Sequence, residues 1–120
     1  MTFEAGQIVI ADWRDALPRE PNKKRPAVIV EDNGLFDPAY PNLMLVPLAD
    51  DPNLAIGDLS VRIDPNLENG CAKPCYALPH HVTSTSKLRV ESTTSRITNA
   101  QLAQIRRKIV VSIGWQAGPE

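Results

Sequence analysis

Residues 24–31 read K-R-P-A-V-I-V-E, and the stretch Pro26–Glu31 within them is short, β-branched and bounded on both sides by polar loops. That pattern predicts a buried β-strand. Working upstream, Gln7–Trp13 (Q-I-V-I-A-D-W) is a second strand, with Ile8, Ile10 and Ala11 expected to face inward. The intervening R-D-A-L-P-R-E-P-N-K-K is too long for a tight hairpin, and loops of that length in compact domains are often functional. Downstream, L-M-L-V-P-L-A (residues 43–49) is a third strand, in which Pro47 is expected to mark a bulge, an edge or the strand's end. Leu59–Ile63 alternates apolar and polar residues as a half-buried strand does. Further short strands are expected around Cys75–Leu78 and near Leu88–Val90.

One helix is expected, over roughly Ala100–Ile113, with Thr98 or Asn99 as its N-cap. Leu102, Ile105, Ile109 and Ile113 recur at spacings of three and four, which puts them on one face that should pack against the sheet. Arg106, Arg107 and Lys108 fall elsewhere, on a solvated basic face or a nucleic-acid contact. The fold class is therefore mainly β, a small barrel or curled antiparallel sheet with a C-terminal helix.

At 120 residues the chain fits a single domain spanning residues 1–120. Eleven prolines against six glycines imply short strands joined by many loops. A net charge of −1 excludes a protein that coats nucleic acid nonspecifically, so any such site must be a local patch. No apolar start resembles an export signal and no run reaches the ~20 apolar residues that span a bilayer, so a cytoplasmic location and no membrane contact are expected. Cys71 and Cys75, in C-A-K-P-C, lack zinc-site spacing. Reduced, incidental thiols and a redox or ligand role both fit them; no metal and no cofactor is expected.

The order of the motifs carries more than any one of them. Gly6–Val9 (G-Q-I-V), a charged loop, Arg25–Val30 (R-P-A-V-I-V), Val46–Leu48 (V-P-L) and Val61–Asp64 (V-R-I-D) follow one another as in the MazF/PemK toxins, and the resemblance covers about residues 5–115. That family opens on a glycine-led strand, passes through a loop to Arg-Pro followed by aliphatics, and continues into a strand ending near Pro-Leu. The resemblance implies an SH3-like barrel, a homodimer, and metal-independent, sequence-specific cleavage of single-stranded RNA held in check by a cognate antitoxin.

Cutting RNA without a metal needs a base for the 2′-hydroxyl, an acid for the leaving 5′-oxygen and cations for the phosphorane. Arg25 matches the family's arginine before proline, and a guanidinium forks onto phosphate oxygens. A structural arginine bonding loop carbonyls is the alternative. Residues 12–25 hold five basic against three acidic side chains, a net +2 in an acidic chain. Arg14, Arg19, Lys23 and Lys24 there are candidate RNA contacts, or simply solvated charge. Trp13 could stack on a base or fill the interior.

The family's hydroxyl residue after V-P-L is replaced by Ala49 and Asp50, so Asp50 is the candidate acceptor or base. Its histidine in the first loop is replaced by Arg19. The arginine and aspartate that some members place in the strand at Cys75–Pro79 are missing, but His80 and His81 follow at once, and His81 is the candidate proton carrier. Ser84 and Lys87, in V-T-S-T-S-K-L, are possible phosphate contacts or part of a polar edge strand. Two further readings stay open. The chain could be a binding inhibitor similar to the CcdB toxins, which poison DNA gyrase without cutting RNA, given L-M-L-V-P-L-A and the helix end S-I-G-W. It could also be a catalytically inactive member acting through partner binding.

Overall fold

The computed structural model describes residues 3–13 and 24–115. They form β1 (Gln7–Asp12), β2 (Lys24–Ile29), β3 (Asn42–Ala49), β4 (Val61–Ile63), β5 (Cys75–Ala77), β6 (Thr83–Ser86), β7 (Val90–Arg96) and α1 (Asn99–Ser112). The seven strands pair antiparallel in the order β4-β5-β3-β2-β1-β7, with β6 added to β3. Among the described residues β4 and β7 do not pair, so the sheet is curled rather than closed. No helix among them is long and apolar enough to cross a membrane.

The central strands are buried on both faces, which is why their sequences read as apolar runs without alternation. On one face Ile8, Val28, Val46 and Ile63 pack with Leu102 and Ile105 of α1. On the other Val9, Ala27, Ile29 and Leu45 pack with Ala11, Leu43 and Val90. Val9 is therefore a core residue, and Ile10, expected to point inward, is only half-buried.

Pro47 stands within β3, opposite Ala27 of β2. It marks a change of neighbour: β6 pairs with β3 through Asn42–Leu45, and β5 pairs with Leu48 and Ala49. A residue without an N–H suits the point where one ladder ends and the next begins. The strand expected near Leu88–Val90 is instead a 3-10 turn over Lys87–Arg89, followed by the seven-residue β7. Leu88 is 97% exposed. The sequence E-S-T-T-S-R hides β7 because its cross-links are polar: the Thr93 hydroxyl donates to the Ile8 carbonyl, and Gln7 Nε2 donates to Ser92 Oγ at 2.8 Å.

α1 starts on a reciprocal cap, in which Thr98 accepts from the Gln101 amide at 3.0 Å and Gln101 accepts from the Thr98 amide at 2.9 Å. Leu102 and Ile105 are buried and Ile109 packs at the edge of the core. Ile113 departs from expectation at 74% exposed, because the helix ends at Ser112 and Gly114, at φ 84°, turns the chain away. Arg106 departs too. Its guanidinium donates from Nε to the Val30 carbonyl and from Nη2 to the Glu31 carbonyl, both at 2.9 Å, so it is a clasp between helix and sheet rather than a solvated charge. Carbonyls just past a strand end need donors, and this arginine supplies them.

Candidate functional site

Arg25 lies in β2 opposite Ala11 of β1. Carrying the β2–β3 register two residues beyond Ala27↔Pro47 puts it level with Ala49. Ala49 pairs in turn with Tyr76 of β5, and Tyr76 with Arg62 of β4. One row across four strands thus runs Arg25, Ala49, Tyr76, Arg62, with an arginine at each end of a tyrosine. Side chains in such a row share a face of the sheet.

Asp50 follows Ala49 at the outer end of β3. The antiparallel pairing of β3 with β5 brings the loop ahead of β5 over it, and Lys73 Nζ lies 3.1 Å from the Asp50 carboxylate. The Lys73 hydrogen bond and charge hold the Asp50 carboxyl below the usual carboxylate range, and the Arg25 guanidinium adds to the effect. Two cations therefore act on one carboxylate, which is ionised at neutral pH and accepts rather than donates protons. Lys73 was not among the residues singled out from the sequence. It stands 23 positions from Asp50 in the chain, and only the β3–β5 register joins them.

An arginine and an aspartate stand together beside β5, Arg62 on β4 and Asp64 just past its end. Arg62 Nε donates to Asp64 Oδ1 at 2.8 Å. The Asp64 carboxylate and the Tyr76 side chain both favour the charged guanidinium.

The histidines occupy a 3-10 turn, Pro79–His81, that packs against α1. Their rings meet edge to face with centroids 4.5 Å apart. His80 Nδ1 is buried with no hydrogen-bond partner. Burial, and then the neighbouring His81, lower the His80 pKa, which keeps this ring neutral at pH 7. His81 is exposed. The structure thus joins Arg25 with Asp50 and sets His81 on the helix-bearing side, while the charges acting on Asp50 are those of Lys73 and Arg25.

Lys24 pairs with Glu91 at 3.4 Å and, with Ile10, Leu88 and Arg89, lines a groove of about 250 Å³ where β1 ends and β2 begins. Ser84 is exposed on β6 opposite Met44, on a hollow of about 310 Å³ that Phe36 and Tyr40 also line. Lys87 donates from Nζ to the Pro38 carbonyl at 2.9 Å and so ties down the loop ahead of β3. Trp13 packs against the second core cluster and donates to Thr85 Oγ1 at 3.1 Å, the interior role of the two it could have had. Arg14, Arg19 and Lys23 lie outside the described residues.

Comparison with known structures returns the same architecture. An endoribonuclease from a Mycobacterial species, in complex with its cognate antitoxin, matches with a TM-score of 0.75 at 14% identity over 98% of this chain and 100% of its own. The Mycobacterium tuberculosis toxin MazF-mt6 matches at 0.71 and 17% identity, over 92% and 98% of the two chains. MazF from Deinococcus radiodurans matches at 0.70 and 21% identity, over 95% and 98%. These likenesses establish the fold. No curated protein matches the chain. The family model of the PemK-like, MazF-like toxin of type II toxin-antitoxin systems matches residues 4–113. With nearly the whole chain inside that match, the protein belongs to the PemK-like, MazF-like toxin family.

Proposed function

We propose that this protein is the toxin of a toxin-antitoxin pair and a metal-independent, sequence-specific endoribonuclease that cuts single-stranded RNA as a cytoplasmic homodimer. The observation that carries the proposal is the corner where Arg25 and Lys73 both act on Asp50. A scissile phosphate placed there meets two cations, the requirement for stabilising a phosphorane without a metal. The ionised Asp50 accepts the proton of the attacking 2′-hydroxyl, whose oxygen bonds to phosphorus to give a 2′,3′-cyclic phosphate. The departing 5′-oxygen takes its proton from water at this exposed corner, since His81 lies with its 3-10 turn against α1. The row of Arg25, Tyr76 and Arg62 extends the cationic corner into a track, with an aromatic face for a base between two phosphate-binding guanidinia. A cognate antitoxin as partner follows from family membership and from the similar endoribonuclease held with its own antitoxin.

The decisive experiment incubates purified protein with a long single-stranded RNA in EDTA and maps the new ends. Recurrent cuts at one short sequence, ending in cyclic phosphate and lost in Arg25→Ala, are expected. The exposed Ile113 and Trp115 at the helix end favour a second reading, a gyrase-binding inhibitor. Intact RNA together with gyrase-dependent DNA breaks would establish that reading and sink the first. Intact RNA and intact DNA with tight antitoxin binding would mark an inactive member.

A further inference from the structure

Cys71 and Cys75 are free thiols whose sulfurs lie 3.7 Å apart, one on each side of the loop residue Lys73. Both are held in place. Cys75 begins β5, opposite Ile63 of β4. Cys71 hangs from Asn69, a polar side chain only 3% exposed. The Asn69 Oδ1 accepts from the amides of Asn66 at 3.1 Å and Cys71 at 2.9 Å, and its Nδ2 donates to the Asp64 carbonyl at 2.8 Å. A buried amide with its donor and acceptor both engaged fixes the loop it serves. The turn before it is equally constrained: Gly70 has φ 66°, and a Cβ there would stand 2.6 Å from Ser95 Oγ.

We propose that Cys71 and Cys75 form a modification site, a dithiol that closes to an intramolecular disulfide by exchange with a small-molecule disulfide and in closing draws Lys73 off Asp50. The half-exposed Cys71 gives its proton to water, and its thiolate attacks one sulfur of the small disulfide. That S–S bond breaks and the first small thiolate leaves, taking a proton. Cys75 then gives its proton to water, and its sulfur attacks Cys71 Sγ in the mixed disulfide and expels the second small thiolate, which takes up a proton. Two protein thiols are oxidised and one small disulfide is reduced to two thiols. The order of attack follows from burial, which, together with the neighbouring Cys71 and the Asp50 charge, pushes the Cys75 thiol up to about 12. Cys75 is thus the resolving sulfur and Cys71 the entering one.

Bond formation requires the sulfurs to close from 3.7 Å to about 2 Å. Because Cys75 is anchored in β5 and the Cys71 amide is held by Asn69, closure falls on the Cys71 side chain and on residues 72–74, which carry Lys73. Its ion pair with Asp50 is exposed and yields easily. The effect on RNA cleavage rests on the nuclease reading above; disulfide closure and the release of Lys73 do not.

The test treats the whole protein with oxidised glutathione, alkylates the remaining thiols, and acetylates amines with a limiting pulse of acetic anhydride before peptide mass analysis. A Cys71–Cys75 cross-linked peptide is expected, with Lys73 acetylated about threefold faster than in the reduced protein, the size of change that loss of an exposed ion pair brings. Dithiothreitol should reverse both, and Cys71→Ser should show neither. Two alkylated thiols after treatment, or a cross-link with unchanged Lys73 acetylation, would overturn the inference. RNA cleavage measured on the same samples should change on oxidation. A reduced protein that cuts no RNA would defeat the nuclease reading, while the acetylation result still decides the switch.

Discussion

Under α1, Ile63 and Ile105 are sealed from water and Arg106 locks the helix to carbonyls beyond β2, whereas at the outer end of β2 and β3 the ion pair of Asp50 and Lys73 stands in solvent. The first region is held by packing and geometry, the second by charge. A surface ion pair contributes little to stability, so the charged corner is free to serve chemistry. Damage to one region should leave the other's signature intact, and that separation can be tested from its largest effect downward.

Ile105→Ala empties a fully buried position and should cost about 3–4 kcal/mol in a urea unfolding curve, enough to threaten the fold. Arg25→Ala should lower the RNA cleavage rate about 100-fold, the effect of removing one donor to a developing oxyanion, with the urea midpoint barely moved. A matching loss of stability would mean that Arg25 is a structural residue after all. Arg106→Ala strands two backbone carbonyls and should cost about 2 kcal/mol while cleavage per folded molecule is retained. Thr98→Ala removes one half of the helix cap and should cost about 1 kcal/mol.

The smallest effect is a pH slope. Because burial lowers the His80 pKa from its ordinary 6.5, the unfolded chain binds the proton more readily. Its contribution to stability is therefore full above pH 6.5 and is lost as pH falls through 6.5 toward the folded value. Thermal melts from pH 7.5 to 5 should show that loss, and His80→Gln should flatten the profile.

Much of the fold was legible because aliphatic runs and proline-rich breaks mark β1, β2 and β3 directly. The failures share a cause, namely information held in another part of the chain. Ile10, expected inward, is only half-buried while Val9 is sealed, because both faces of β1 are covered and no alternation reveals which side is deeper. The strand expected at Leu88–Val90 overlaps β7 only at Val90, because the bonds of β7 to β1 run through hydroxyls rather than an apolar stripe. At the site, Arg25 could be singled out locally, since an arginine before a proline-led strand is visible in one window. Lys73 could not, because its meeting with Asp50 exists only once β5 has found its register on β3. Asp50 was legible as a replacement for a missing hydroxyl, but not as a carboxylate already claimed by a lysine.

The antiparallel partnership of β1 and β7 joins residues near opposite ends of the described chain, Val9 to Ser92 and Ala11 to Val90, and Ile97 then bonds back to Gly6 at 2.9 Å. Contacts so distant in sequence fold slowly, since a long loop must close before they form. On a ribosome, the strands made first must wait, one flank open, until β7 and α1 emerge. Synthesis itself thus delays the finished molecule until its last described strand and helix are in place.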